Sequence, residues 1–207
     1  MLDYPPESMF DDFILQEENE CLLERIEDPD LEKLICRKIA RLVMESIEKY
    51  KQGKATDVPA AFVGGYDSDS NTFAYVDYSQ TPPEKIHEQL QEIVDIKVEE
   101  NKIAPVGQTK IDKETNKESN TTGRCAEFHV VNKMLKLAHK KDNIRLTKAV
   151  RPKKKYKHRE IKTESVDSLI NSINSWEDLL KVCNLREIPY CSNCETMFRD
   201  INILEEE

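Results

Sequence analysis

Apolar residues recur at intervals of three and four from Leu31 onward, at Leu34, Ile35, Ile39, Leu42, Val43, Ile47 and Tyr50, and Gly53 closes the run. That spacing gathers one apolar stripe and predicts an amphipathic helix. Two strand-like runs follow, 60–64 and 72–78, separated by Tyr66-Asp67-Ser68-Asp69-Ser70-Asn71, whose Asp, Ser and Asn suit a turn. They predict an antiparallel hairpin. Pro82 and Pro83 can open a second helix reaching about Val98, with Ile86, Leu90, Ile93 and Val94 as its buried stripe. Residues 104–122 offer almost nothing to bury and predict a long surface loop. Val130, Val131, Met134, Leu135 and Ala138 then predict a helix from Cys125 to about Lys140, followed by a strand at 144–150. A further helix is expected from Val166 to Val182, with Ile170, Ile173, Trp176, Leu179 and Leu180 inward, then a short strand-like approach over 185–189. The chain closes with a short helix through Phe198 and an apolar strand candidate at 201–204.

The 207 residues, 38% of them hydrophobic, suffice for one core and make one domain the expectation, 31–207, behind an arm at 1–30. No apolar run approaches the roughly 18 residues of a membrane span. The N-terminus lacks the basic stretch and cleavage site of a secretory signal, so a soluble chain acting in the cytoplasm is expected. Charge changes this picture more than composition does. The net charge is −9, yet residues 1–32 hold twelve acidic side chains against Arg25 alone. Residues 133–162 reverse that, with thirteen Lys and Arg against Asp142 and Glu160. Such a block has the electrostatic footprint of a phosphate-backbone binder, and equally that of a solvated lysine-rich face and loop. Lys153, Lys154, Lys155, Lys157 and Arg159 at its centre are the candidate nucleic-acid contacts.

Six Cys are too sparse for a small disulfide scaffold, and two form a C-x-x-C near the end, which favours metal binding. The informative residues are Gly123-Arg124-Cys125-Ala126-Glu127 at one expected helix start and Pro189-Tyr190-Cys191-Ser192-Asn193-Cys194 at another. Thiolates at Cys125, Cys191 and Cys194 supply three zinc ligands and leave a fourth position open to activate water. Glu127, two residues after the first ligand, is placed to take and return a proton. A Cys or His ligand, a Glu two residues on, and a later C-x-x-C after Pro form the signature of zinc-dependent base deaminases.

On these residues the chain resembles the cytidine-deaminase-like superfamily. Within it, Thr122-Gly123-Arg124-Cys125-Ala126-Glu127 with Cys191-Ser192-Asn193-Cys194 is similar to the YwqJ-like deaminases of bacterial polymorphic toxins. The resemblance implies a three-layer α/β/α sandwich around a mixed sheet, one zinc ion on Cys125, Cys191 and Cys194, and Glu127 as proton shuttle. It also implies a nucleic-acid or nucleotide base as substrate, most simply cytosine, and a cognate immunity protein as partner. A toxin of that kind would be a secreted effector, although a start at Met1 with no trafficking segment argues against an intact one. The 66 residues from Cys125 to Cys191 exceed the superfamily's usual spacing, and the excess falls in a helical insertion at about 151–188. Tyr190 stands where Pro usually precedes the C-x-x-C, with Pro189 adjacent.

Other readings stay open. A free nucleoside or nucleotide deaminase needs no basic surface. His129, four residues after Cys125, shares its helical face and would close a Cys₃His structural site, as in a non-catalytic zinc-stabilised interaction module. A redox C-x-x-C leaves the Cys125–Glu127 spacing without a purpose. Cys21, Cys36 and Cys183 read as small apolar residues, His87 and His139 have no evident partners, and Trp176 reads as core.

Overall fold

A computed structural model describes residues 31–111, 119–153 and 166–199. The acidic arm at 1–30, Lys154, Lys155, Lys157 and Arg159, and the strand candidate at 201–204 lie outside the described residues.

Helix α1 spans Leu31–Lys51 and buries Ile35, Ile39, Val43 and Ile47 of the expected stripe together with Cys36, Ala40 and Met44, while Leu34, Leu42 and Tyr50 are half-buried. It ends where Gly53 turns left-handed at φ 70° and Lys54 donates back to the carbonyl of Lys49. Strands β1 (Phe62–Asp67) and β2 (Ser70–Tyr78) pair antiparallel with Phe62 opposite Tyr78. The hairpin turn is tighter than the expected six residues, because pairing continues to Asp67 and Ser70 after a shift of register at Tyr66/Asp67.

Helix α2 spans Glu88–Glu99 and starts well after Pro82. Residues before a proline are driven out of the helical region, and Asn132 fixes the segment that follows in an extended path. Its Oδ1 accepts from the His87 backbone N–H at 2.8 Å and its Nδ2 donates to the Lys85 carbonyl at 3.1 Å. His87 therefore has a partner that sequence did not reveal, its side chain capping α2 at Gln89. Helix α3 (Ala126–Lys136) stops short of Lys140. Ala138 turns left-handed at φ 65°, and the chain swings His139 onto Asp67, Nδ1 to Oδ2 at 2.6 Å.

The expected strand at 144–150 is two strands, β3 (Ile144–Leu146) and β4 (Ala149–Pro152). Between them Thr147 keeps its backbone N–H on the Gly64 carbonyl, but its Oγ1 accepts from the Gly64 N–H and its carbonyl accepts from the Tyr190 hydroxyl. The single helix expected over 166–182 is likewise two, α4 (Val166–Asn171) and α5 (Trp176–Val182). Ser175 caps α5 by accepting from the Asp178 N–H, while Arg37 of α1 donates to the carbonyls of Asn171 and Ile173 that the break exposes. Strand β5 (Leu185–Ile188) and helix α6 (Ser192–Phe198) complete the described chain.

The five strands form one sheet in the order β2-β1-β4-β5, with β3 also paired to β1. Every pairing among the described residues is antiparallel, which corrects the mixed sheet expected from the sequence. At the edge of the sheet β5 runs antiparallel to β4, with Val150 opposite Glu187.

Neighbouring strand residues face opposite sides, and the two sides bury separate clusters. Val63 and Ala149 join α2, α3 and α6 in one; Phe62 and Val150 join α1, α4 and α5 in the other. Gly64 and Gly65 bring the helices close. A Cβ on Gly64 would stand 2.5 Å from Ile35 Cγ2 of α1, and one on Gly65 would fall on Val130 Cγ1 of α3. Among the described residues no helix is long and apolar enough to cross a membrane.

Candidate metal centre

Three segments meet at one end of the sheet to build the cysteine cluster. The first runs from β2 to α3. After Tyr78 the chain continues along the sheet edge, and the Gln80 N–H donates to the Arg124 carbonyl at 3.1 Å, beside Cys125. Gly123 makes the turn into α3 at φ 86°, where an L side chain is strained and a Cβ would stand 3.0 Å from Val106 Cγ1 and 3.3 Å from Pro82 Cβ. Cys125 is then the N-cap of α3, with no cap hydrogen bond from its side chain.

The second segment carries the C-x-x-C. The Tyr190 hydroxyl reaches Thr147, fixing the chain where it leaves β5, and Cys191 is the N-cap of α6. Met197 and Phe198 anchor this short helix in the core, each burial being worth about 2–3 kcal/mol. The third segment is the end of the polar loop. Asn193, one of the two residues between Cys191 and Cys194, is buried and donates from Nδ2 to the Asn120 carbonyl at 2.6 Å and the Thr122 Oγ1 at 3.2 Å. The expectation of a surface loop therefore fails at this end, where Thr122 is fully buried.

The Cys125 and Cys191 sulfurs lie 2.8 Å apart, and the Sγ atoms of Cys125, Cys191 and Cys194 all lie within 4.8 Å of one another. This group can hold a metal ion. Hydrogen bonds from the Cys125 and Cys194 thiols hold the Cys191 thiol down to about 3. The same contact with Cys191 pushes the Cys125 thiol well above its ordinary range, and burial does so for Cys194. Three sulfurs this close share protons, and a bound cation would take the place of those protons.

Glu127 lies in the first turn of α3, 3% exposed. Burial, and then the charge at Cys191, push its carboxyl up to about 7, against a hydrogen bond from Cys194 that lowers it. A carboxyl poised near neutrality can give and accept a proton. His129 is not in the sulfur group. It is buried, its ring is held against the backbone of Gln80 and Thr81, and burial lowers its pKa. Its Nε2 has no hydrogen-bond partner among the described residues.

Of the candidate nucleic-acid contacts, only Lys153 is described; it is exposed, and its backbone N–H donates to Asn184. A cavity of about 400 Å³ lined by Glu32, Tyr66, Lys148 and Trp176 among others lies on the opposite face, against α1 and α5, and none of the three cysteines lines it. Trp176 donates from Nε1 to Glu187 at 2.7 Å, so it borders that cavity with its N–H satisfied.

The three thiols expected from the sequence are brought together by the fold, whereas Asn193, Asn120, Thr122 and Asn132, which position the segments around them, carried no signal of that role. Their polarity reads as loop or solvent-facing helix until the partners are known. No protein-family model, curated protein or solved structure matches the chain.

Proposed function

We propose that the chain is a zinc-dependent hydrolytic deaminase of a nucleobase, cytosine being the leading substrate, in single-stranded or flipped-out nucleic acid. The observation that carries this reading is Glu127: a carboxyl 3% exposed in the first turn of α3, two residues after one of three convergent thiols. A purely structural metal site has no use for such a group, and burying it costs stability.

Three thiolates suit zinc, whose tetrahedral sites of this kind keep a fourth position open. Cys125, Cys191 and Cys194 would hold the ion, since their sulfurs already lie within 4.8 Å of one another. Bound zinc supplies a water molecule that loses a proton near neutral pH. The chain's own part is proton traffic. Glu127 takes the proton from the attacking water, delivers it to the ring nitrogen beside the carbon under attack, and later passes a proton to the departing amino group. Water adds, ammonia leaves, and cytosine becomes uracil. Asn193 and Thr122 keep Cys125 in register with the C-x-x-C, and the Gln80–Arg124 contact keeps the start of α3 against β2.

A toxin role with a cognate immunity protein belongs to the same reading and rests on the resemblance of 122–127 and 191–194. The test is mass-spectrometric detection of base conversion after incubation with mixed single-stranded DNA, RNA and free nucleosides. A mass increase of about one unit in one substrate class, abolished by Glu127→Gln, supports the reading and names the substrate. Absence of product from every class, in a zinc-loaded chain, overturns it.

A further inference from the structure

A cluster of three lysines is assembled by two separate parts of the fold. Lys133 and Lys136 lie on α3, and Lys85 lies on the extended segment between β2 and α2. Lys136 Nζ donates to the Lys85 carbonyl at 2.8 Å, the same carbonyl that Asn132 Nδ2 holds. Asn132 is 4% exposed, so a buried side chain fixes Lys85 against Lys136. Lys136 and Lys85 are exposed, and Lys133 is half-buried with Asp77 of β2 near it. Partial burial and the charges of Lys133 and Lys85 lower the Lys136 pKa. Like charges held together in this way lose energy unless an anion joins them.

The cluster also has a direction. Cys125, His129, Asn132 and Lys136 follow one another at four, three and four residues and share one stripe of α3. A rise of 1.5 Å per residue places Lys136 about 16 Å along the helix from Cys125. Residues 80–87 cover that stripe, touching His129 through Gln80 and Thr81 and Asn132 through Lys85 and His87, and α3 is buried from Ala126 through Asn132, so the surface between the lysines and the thiols belongs to 80–87. A cationic patch at one end of that track and the thiols at the other are separated by the length of a few nucleotides.

We infer that Lys85, Lys133 and Lys136 form a docking surface for the phosphate backbone of single-stranded nucleic acid, leading over residues 80–87 toward the cysteine cluster. This deepens the deaminase reading, but binding can be measured whether or not any base is converted. The experiment uses the full zinc-loaded chain carrying Glu127→Gln and a fluorescein-labelled, mixed-sequence single-stranded DNA of twelve nucleotides, titrated by anisotropy from about 50 to 200 mM salt. Simultaneous Lys85→Ala, Lys133→Ala and Lys136→Ala should weaken binding roughly 10–100-fold. The slope of log K against log salt should flatten by about 2, at 0.7 for each lost phosphate contact. The corresponding triple Lys→Arg chain should retain both affinity and slope, which separates loss of charge from loss of fold. Unchanged affinity and slope in the alanine chain would overturn the inference, as would weakened binding to heparin without weakened binding to the oligonucleotide. Binding that falls as expected, while the chain with Glu127 intact converts no base, supports the surface and tells only against the reaction.

Discussion

The sulfurs of Cys125 and Cys191, 66 residues apart in the chain, lie 2.8 Å from each other at the starts of two helices. Between them in sequence the described residues hold three strands and three α-helices, so the pair meets only through the fold. Metal affinity should therefore depend on groups that never touch the metal.

Asn193 is the clearest of these, since its amide ties the loop before Cys125 to the helix that bears Cys191 and Cys194. Asn193→Ala should lower zinc affinity about 10–100-fold while the three thiols remain. Competition against a chromophoric chelator reads this directly, and unchanged affinity would remove Asn193 from any positioning role.

His129 separates the open site from a closed Cys₃His site. With its ring held against Gln80 and Thr81 and outside the sulfur group, His129→Ala should leave one zinc bound per chain with affinity close to wild type. A large loss of affinity would mean that metal binding draws His129 in as fourth ligand, leaving no position for water.

The glycine pair in β1 sets the distance of α1 and α3 from the sheet. Gly65→Ala should cost about 1–3 kcal/mol, because the new methyl falls on Val130. Pairing it with Val130→Ala should recover part of that loss in urea melts. Strict additivity of the two substitutions would show that the contact does not govern the approach of α3.

Asp77 should leave a pH signature on stability. Burial lifts its carboxyl to about 6, even though Oδ1 accepts from the Tyr78 N–H and Gln80 Nε2. The folded chain then holds a proton that the unfolded chain has released, so this group lowers stability as pH rises from about 4 through 6. Asp77→Asn should therefore stabilise the protein by about 1–2 kcal/mol at pH 7.5, with the advantage shrinking toward pH 4. An advantage independent of pH would contradict this.

What the sequence made legible follows from how local each signal is. The stripe of α1, the hairpin, and the helix starts after Cys125 and Cys191 depend on spacing within a few residues, and they lie where the pattern put them. The three thiols and Glu127 were legible because their residue types and spacing are rare together. The breaks were not. Thr147 interrupts a strand to serve Gly64 and Tyr190, and Arg37 stabilises the gap between α4 and α5 from more than 130 residues away. Antiparallel closure by β5 was hidden for the same reason: four residues, Leu185–Ile188, have a partner only after β4 is in the sheet. Asn132, Asn193 and Lys85 likewise acquire a role only from what the fold places beside them.

In a deaminase a metal on Cys125, Cys191 and Cys194 and proton transfer by Glu127 act together. Zinc per chain and base conversion, measured in the same preparations of wild type and Glu127→Gln, put both to the test. One zinc is expected in each, with uracil or another deaminated base from the wild type alone. One zinc in both with no product from either, or equal product from both, would contradict it.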